Sequence, residues 1–272
     1  MPDHMVGGAW AAMPALAAAA AVTTTLRLGT LVVDNDFRNP VVFAREVATL
    51  DVLSGGRVEL GVGAGWFDRD YLGTGIPMAR GRVRVARLAE AVTLVKRLFT
   101  EDEVTLAGRF YAVERAECRP KTVQRPHPPI LVAGAGPMIL ALAGREADVV
   151  AIVPPGAGVR GPMREDVSIA TMREQIALVR AAAGDRFDAI ELSQFLDCTL
   201  ADDREAAIAE LAQRSGSDPA VLRENAYRGI GTLDDIRRHV ERQRDELGIT
   251  YFCLRGPDVE KLGPVVAALA GR

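Results

Sequence analysis

The chain has 272 residues, 49% apolar and 25% charged, with a formal net charge of −3. That length and balance suit one large α/β domain that buries a substantial core. Acidic and basic residues are interspersed, so the clustered basic face that nucleic-acid binding requires is not expected. Four arginines between residues 80 and 87 fall on a helical pattern and read as a solvated helix face.

Three widely spaced cysteines, Cys118, Cys198 and Cys253, form no CxxC and no metal spacing, which fits a reducing cytoplasm and predicts no metal. The apolar run 13–22 is preceded by Asp3 rather than by Lys or Arg and is too short to span a bilayer. It reads as a buried alanine-rich helix, 14–24, and no membrane association is expected.

A strand over 26–33 follows, then a helix over 40–53 with Val41, Ala44, Val47, Ala48 and Leu50 on one stripe. Ser54-Gly55-Gly56 stops it, and 58–63 reads as a second strand. The segment 83–99 has the spacing of a long amphipathic helix, with Val85, Leu88, Val92, Val95 and Leu98 on its buried face. An extended segment, 104–113, and a proline-rich approach lead to a third strand at 130–133. A helix over 137–145, a strand over 148–153, a loop over 156–161, a helix over 168–183 and a strand over 189–200 come next. Two or three helices fill 203–247, and 249–254 is the last strand. Six strands, mostly continuous apolar runs, predict both-face burial in a parallel sheet, as a barrel or a doubly wound sheet.

In either architecture the site lies beyond the carboxyl ends of the strands. The segments there are Asp3-His4, the stretch from Val32 to Asp36, Gly63-Ala64-Gly65-Trp66, Gly134-Ala135-Gly136 and Pro154-Pro155-Gly156. Gly134-Ala135-Gly136 could admit an anion at a helix N-terminus, but a tight strand–helix turn needs glycine as well. The full GxGxxG and its acidic partner are missing, which disfavours a Rossmann reading. Gly61, Gly63 and Gly65 suit close backbone packing as well as ligand approach. His127, in a proline-rich loop, and His239, on a charged helix, are poor candidates for proton transfer. His4 is the remaining histidine, a residue type suited to proton transfer near neutral pH, although by position alone a disordered terminal residue is the plainer expectation. Asp34 and Asp36 could pair, although a solvated loop is the plainer expectation.

Several segments together resemble the luciferase-like monooxygenase family, particularly its deazaflavin-dependent branch. They are Leu26-Arg27-Leu28-Gly29-Thr30, Asn39-Pro40 with Ala44-Arg45-Glu46, and the run from Thr49 through Arg57. Leu60-Gly61-Val62-Gly63-Ala64-Gly65-Trp66, the run from Pro128 to Gly134, and Leu247-Gly248-Ile249-Thr250-Tyr251-Phe252 complete the set. The segment from Thr49 to Trp66 is the specific one.

The resemblance implies a TIM (β/α)8-type barrel, a single domain over residues 1–272, binding coenzyme F-420 (F420) or FMN in the barrel mouth. Asp3 and His4 match the family's Asp-His at the end of its second strand, with Asp3 at the deazaflavin and His4 as the catalytic acid/base. Val32 and Val33 match a strand end where members carry a non-prolyl cis peptide behind the ring. Gly63, Ala64, Gly65 and Asp68 match the loop beside the cofactor, and Ala133, Gly134, Ala135 and Gly136 the turn facing its phosphate-bearing tail. Members carry a strand–helix–strand unit ahead of the Asp-His. The barrel is therefore expected to lack its first two strands and first helix, through a late-assigned start or a shortened gene, leaving edges at 26–33 and 249–254.

The expected function is F420-dependent hydride transfer to or from a small organic substrate, by a homodimer. The alternatives are an FMN-dependent monooxygenase on the same fold and a catalytically inactive shortened homologue.

Overall fold

Strand and helix alternate through the computed structural model, which describes residues 1–7, 10–155, 167–255 and 259–271. The first half runs α1 (Ala12–Val22), β1 (Leu28–Gly29), β2 (Val33–Asp34), α2 (Pro40–Ser54), β3 (Val58–Gly63), α3 (Asp68–Thr74) and α4 (Gly81–Thr100). A hairpin of β4 (Val104–Ala107) and β5 (Ala112–Ala116) separates it from β6 (Ile130–Gly134), α5 (Pro137–Glu146), β7 (Val149–Ile152), α6 (Ile169–Ala183) and β8 (Glu191–Leu200). The chain ends with α7 (Arg204–Ser215), α8 (Pro219–Arg223), β9 (Arg228–Gly231), α9 (Leu233–Leu247), β10 (Ile249–Arg255) and α10 (Gly263–Leu269).

Local chemistry sets the helix ends. Asn39 caps α2 by accepting from Val41 N at 2.9 Å, Pro40 occupies the first position where no donor is lost, and Gly55 terminates the helix at φ 69°. Thr232 and Asp235 form a reciprocal capping box on α9, which Gly248 closes at φ 73°.

The parallel sheet follows the order β1-β3-β6-β7-β8-β10, with β2 also on β3 and β9 also on β8. It curls into a half-barrel whose outer strands, β1 and β10, are the two edges expected from the sequence. One face packs under the helices. Leu60, Val62, Ile130, Val132, Val150, Ile152 and Leu192 meet Phe43, Val47, Leu88, Leu98, Leu140 and Met172 there. The concave face is smaller: Leu131, Val149 and Ala151 with Leu31, Val32, Ala133 and Tyr251. Across it Tyr251 of β10 donates to Glu59 of β3 at 3.0 Å. Met1 lies along β1, its amino group donating to Gly29 O at 2.8 Å and its carbonyl accepting from Leu31 N at 2.7 Å.

Asp51 explains part of the motif from Thr49 to Trp66. Its fully buried carboxylate accepts from Val123 N (2.6 Å), Gln124 N (3.1 Å) and Gln124 Nε2 (2.8 Å), so it ties α2 to the approach to β6. Cys118, Cys198 and Cys253 are free, and burial pushes the Cys198 thiol up to about 11, the behaviour of an inert core residue.

Three expectations are corrected. The strand expected over 26–33 is two short strands, and the Leu31–Val32 peptide between them is cis, the bond anticipated at this strand end. The extended segment 104–113 is part of the β4–β5 hairpin. Residues 203–247 hold a strand, β9, besides the helices; its sequence Arg-Gly-Ile-Gly has too little strand preference to announce itself. The loop expected over 156–161 lies outside the described residues. Among the described residues, no helix is long and apolar enough to cross a membrane.

Candidate active site

The N-terminal segment meets the ends of β2 and β3. Asp3 is 7% exposed, and its carboxylate is forked by Arg38, with Nη2 to Oδ1 at 3.0 Å and Nη1 to Oδ2. It also accepts from Asp34 N at 3.3 Å. Asp3 therefore anchors this segment to the β2 end with a buried, neutralised charge.

His4 next to it is held by a second carboxylate. Its Nδ1 lies 2.7 Å from Asp70 Oδ2, and Met5 N donates to Asp70 Oδ1 at 2.8 Å. Asp70 is 4% exposed, whereas the His4 ring is half-buried. Trp66 (5.6 Å, 90°) and Phe67 (5.7 Å, 86°) lie perpendicular to that ring and beside it. A proton on Nδ1 serves the carboxylate and leaves the Nε2 lone pair for other work.

The glycines of β3 and of the loop after it are mostly required by packing. A Cβ on Gly61 would stand 1.9 Å from Thr30 O, and one on Gly63 2.7 Å from Val32 Cγ2. On Gly65, at φ 73°, it would strike the Tyr71 hydroxyl and the Asp34 carboxylate. Arg84 fixes the loop by donating to Ala64 O (2.9 Å), Gly65 O (3.1 Å) and Ala79 O.

The solvated loop expected at Asp34 and Asp36 is corrected here, and the solvated face expected for the arginines of residues 80–87 holds for the exposed Arg80 and Arg82 but not for Arg84 and Arg87. The Asp36 side chain is fully buried, pairs with Arg87 at 2.8 Å and accepts from the Tyr71 hydroxyl at 3.2 Å. Arg84 is consumed by carbonyls. Burial pushes Asp34 up to about 6, opposed by its bond from Asp36 N at 2.9 Å and by Arg84, and reinforced by the Asp36 charge.

Because the folded state binds this proton more tightly than an unfolded chain, stability falls as pH rises from about 4 to about 6 and then levels off. Asp34→Asn, whose amide oxygen can still accept from Asp36 N, should leave stability nearly unchanged at about pH 3.5, below the range in which the unfolded carboxyl ionises. At pH 8 it should raise stability by about 1–3 kcal/mol. Denaturant melts at the two pH values check this, and equal gains at both would contradict it.

The turn after β6 divides by residue. Gly134 is a packing glycine, since a Cβ would meet Ile139 Cγ2 at 2.2 Å. Gly136 has nothing within 4 Å of such an atom, and α5, which starts beside it, has no side-chain cap. Open space at uncapped amides suits an anion. Ala135 O accepts from Gln175 Nε2 (3.1 Å), which also bonds Val153 O (3.0 Å), while the Tyr227 hydroxyl donates to Gln175 Oε1 (3.2 Å). That buried glutamine ties the β6 and β7 ends together.

Of the residues expected from sequence, Asp3, His4, Val32, Gly63 and Gly65 come together at the β1–β3 rim. Ala133 joins Val32 on the concave wall. The side chain of Val33 lies in the helix-facing core, Ala64 packs against that core from outside, and Asp68 opens α3. Asp70, Arg38 and Gln175 were not anticipated. Asp70 sits in a seven-residue helix too short to show periodicity, and the other two pair with residues far away in sequence.

The luciferase-like monooxygenase family matches residues 2–250. An F420-dependent glucose-6-phosphate dehydrogenase of Intrasporangium calvum is 39% identical over 148 residues, 53% of this chain and 44% of the relative. The matched stretch thus spans less than half the length of that curated relative. One of the same name from Nakamurella multipartita is 29% identical over 93% of this chain and 78% of the relative. The crystal structure of monooxygenase RslO1 from Streptomyces bottropensis is 27% identical, covers 95% of this chain and 81% of its own, and has a TM-score of 0.75. The match over residues 2–250, with which the parallel half-barrel agrees, places the chain in the luciferase-like monooxygenase family.

Proposed function

We propose that the chain is an F420-dependent oxidoreductase that moves a hydride to or from a small organic substrate, with His4 as the acid/base. The observation that carries this reading is the His4–Asp70 pair at the carboxyl ends of the strands, which engages Nδ1 and leaves Nε2 available. The relatives named F420-dependent glucose-6-phosphate dehydrogenases support the choice of cofactor. When bound, F420 supplies a ring carbon, C5, that accepts or gives up the hydride.

The chain's own residues fit such a group. Leu31, Val32 and Ala133 offer an apolar wall for a planar ring, and the open, uncapped start of α5 at Gly136 suits an anionic tail. His4 Nε2 takes the substrate's proton as the hydride leaves, or returns it in the reverse direction. Trp66 and Phe67 pack against the imidazole and offer apolar surface beside it.

A fluorescence titration with F420, run beside one with FMN, tests the cofactor. Quenching of F420 at micromolar protein, with FMN binding more weakly, is the expected result. Tighter FMN binding would transfer the reading to a monooxygenase, the activity named for RslO1. Binding of neither would contradict it.

A further inference from the structure

We infer that Asp70 is a positioning residue that selects the tautomer and fixes the plane of the His4 imidazole. A neutral imidazole carries its proton on either nitrogen, and a base working from Nε2 requires the proton on Nδ1. Asp70 Oδ2 stands 2.7 Å from Nδ1, and an ionised carboxylate accepts and cannot donate, so this bond demands Nδ1–H. Burial to 4% exposure shields the bond from competing water.

The second oxygen matters as much. Oδ1 accepts from Met5 N at 2.8 Å, so one carboxylate grips both the ring and the backbone beside it. Trp66 and Phe67 stand perpendicular to the ring, at 90° and 86° with centroids 5.6 and 5.7 Å away, and pack against it. Asp70 is itself braced: its amide donates to Phe67 O at 3.1 Å and its carbonyl accepts from Thr74 Oγ1 at 3.0 Å. The other two histidines lack this arrangement. His127 Nδ1 bonds Pro128 O at 2.9 Å and stays 3.9 Å from Asp148, and His239 Nε2 bonds Ala226 O at 3.1 Å.

The catalytic consequence rests on the acid/base reading of His4, whereas the tautomer does not, so the test is made on the cofactor-free full chain. Imidazole nitrogen shifts of the 15N-labelled protein are recorded about two pH units above the ordinary histidine range. Wild type should show His4 as Nδ1–H. In Asp70→Leu the Nε2–H form should become the major one. Asp70→Asn offers one acceptor oxygen to two donors and should give a mixture. The Asn variant also carries the test if the Leu variant fails to fold.

An Nε2–H form in the wild type, or an unchanged tautomer in a folded Asp70 variant, overturns the inference. A purely structural Asp70 would lower the melting temperature and leave the tautomer alone. If F420 later fails to bind while the tautomer behaves as stated, the cofactor reading falls and the positioning role stands.

Discussion

His4→Ala should lower kcat for F420 turnover about 10²–10⁴-fold, the usual contribution of one positioned acid/base. Affinity for F420 in the fluorescence titration should change much less. The separation follows from the geometry. The ring wall is built from Leu31, Val32 and Ala133, which His4 does not support, while the anchor of the N-terminal segment is the Asp3–Arg38 fork. The variant leaves Asp70 buried with one oxygen still accepting from Met5 N, so a modest loss of stability is expected as well. Turnover within threefold of wild type would remove His4 from the chemistry. A collapse of F420 binding in the folded variant would assign it to holding the cofactor.

Gly61→Ala should have the largest effect on folding. Its Cβ would stand 1.9 Å from Thr30 O and 2.9 Å from Thr30 C, so the backbone of the strand end must move. Thr30 and Gly61 are also joined reciprocally: the threonine hydroxyl donates to Gly61 O at 2.7 Å and accepts from Gly61 N at 2.9 Å, with Thr30 buried. Both bonds and the approach of the Thr30–Val32 segment to β3 would be lost. A cost of ~4 kcal/mol or more is expected, which for a chain of this size lowers Tm by ~8–16 °C or prevents accumulation of folded protein. Gly73→Ala is the control. It lies inside α3 with nothing within 4 Å of a Cβ, and should be neutral or slightly stabilising. A Gly61→Ala protein that melts like wild type would show that the close β1–β3 approach is not needed.

Much of this frame was legible in the sequence because parallel strands buried on both faces are written as unbroken apolar runs. Val58–Gly63 was read to the residue, and the starts of β6 and α2 were marked by Pro129 and by Asn39-Pro40. The motif from Thr49 to Trp66 owes its glycines largely to packing that the sequence hides. Gly61, Gly63 and Gly65 make room for Thr30, Val32 and Asp34 from the preceding strand end and for the Tyr71 hydroxyl of α3, and the aspartate at 51 holds the approach to β6.

What was not legible is pairing over long separations. Arg38 with Asp3, Arg87 with Asp36 and Asp70 with His4 are 35, 51 and 66 residues apart, and no local periodicity encodes such partners. For the same reason this loop read as solvated when the Asp36 side chain is fully buried and Asp34 is half-buried. The arginine and tyrosine that meet Asp36 arrive from α4 and α3.

The most direct measurement is an experimental structure of the chain with F420 bound. The account predicts the ring against Leu31, Val32 and Ala133, its anionic tail at Gly136 and the start of α5, and His4 Nε2 within hydrogen-bonding reach of the reacting edge. A ring bound away from that wall, or His4 turned to present Nδ1 to it, would contradict the account.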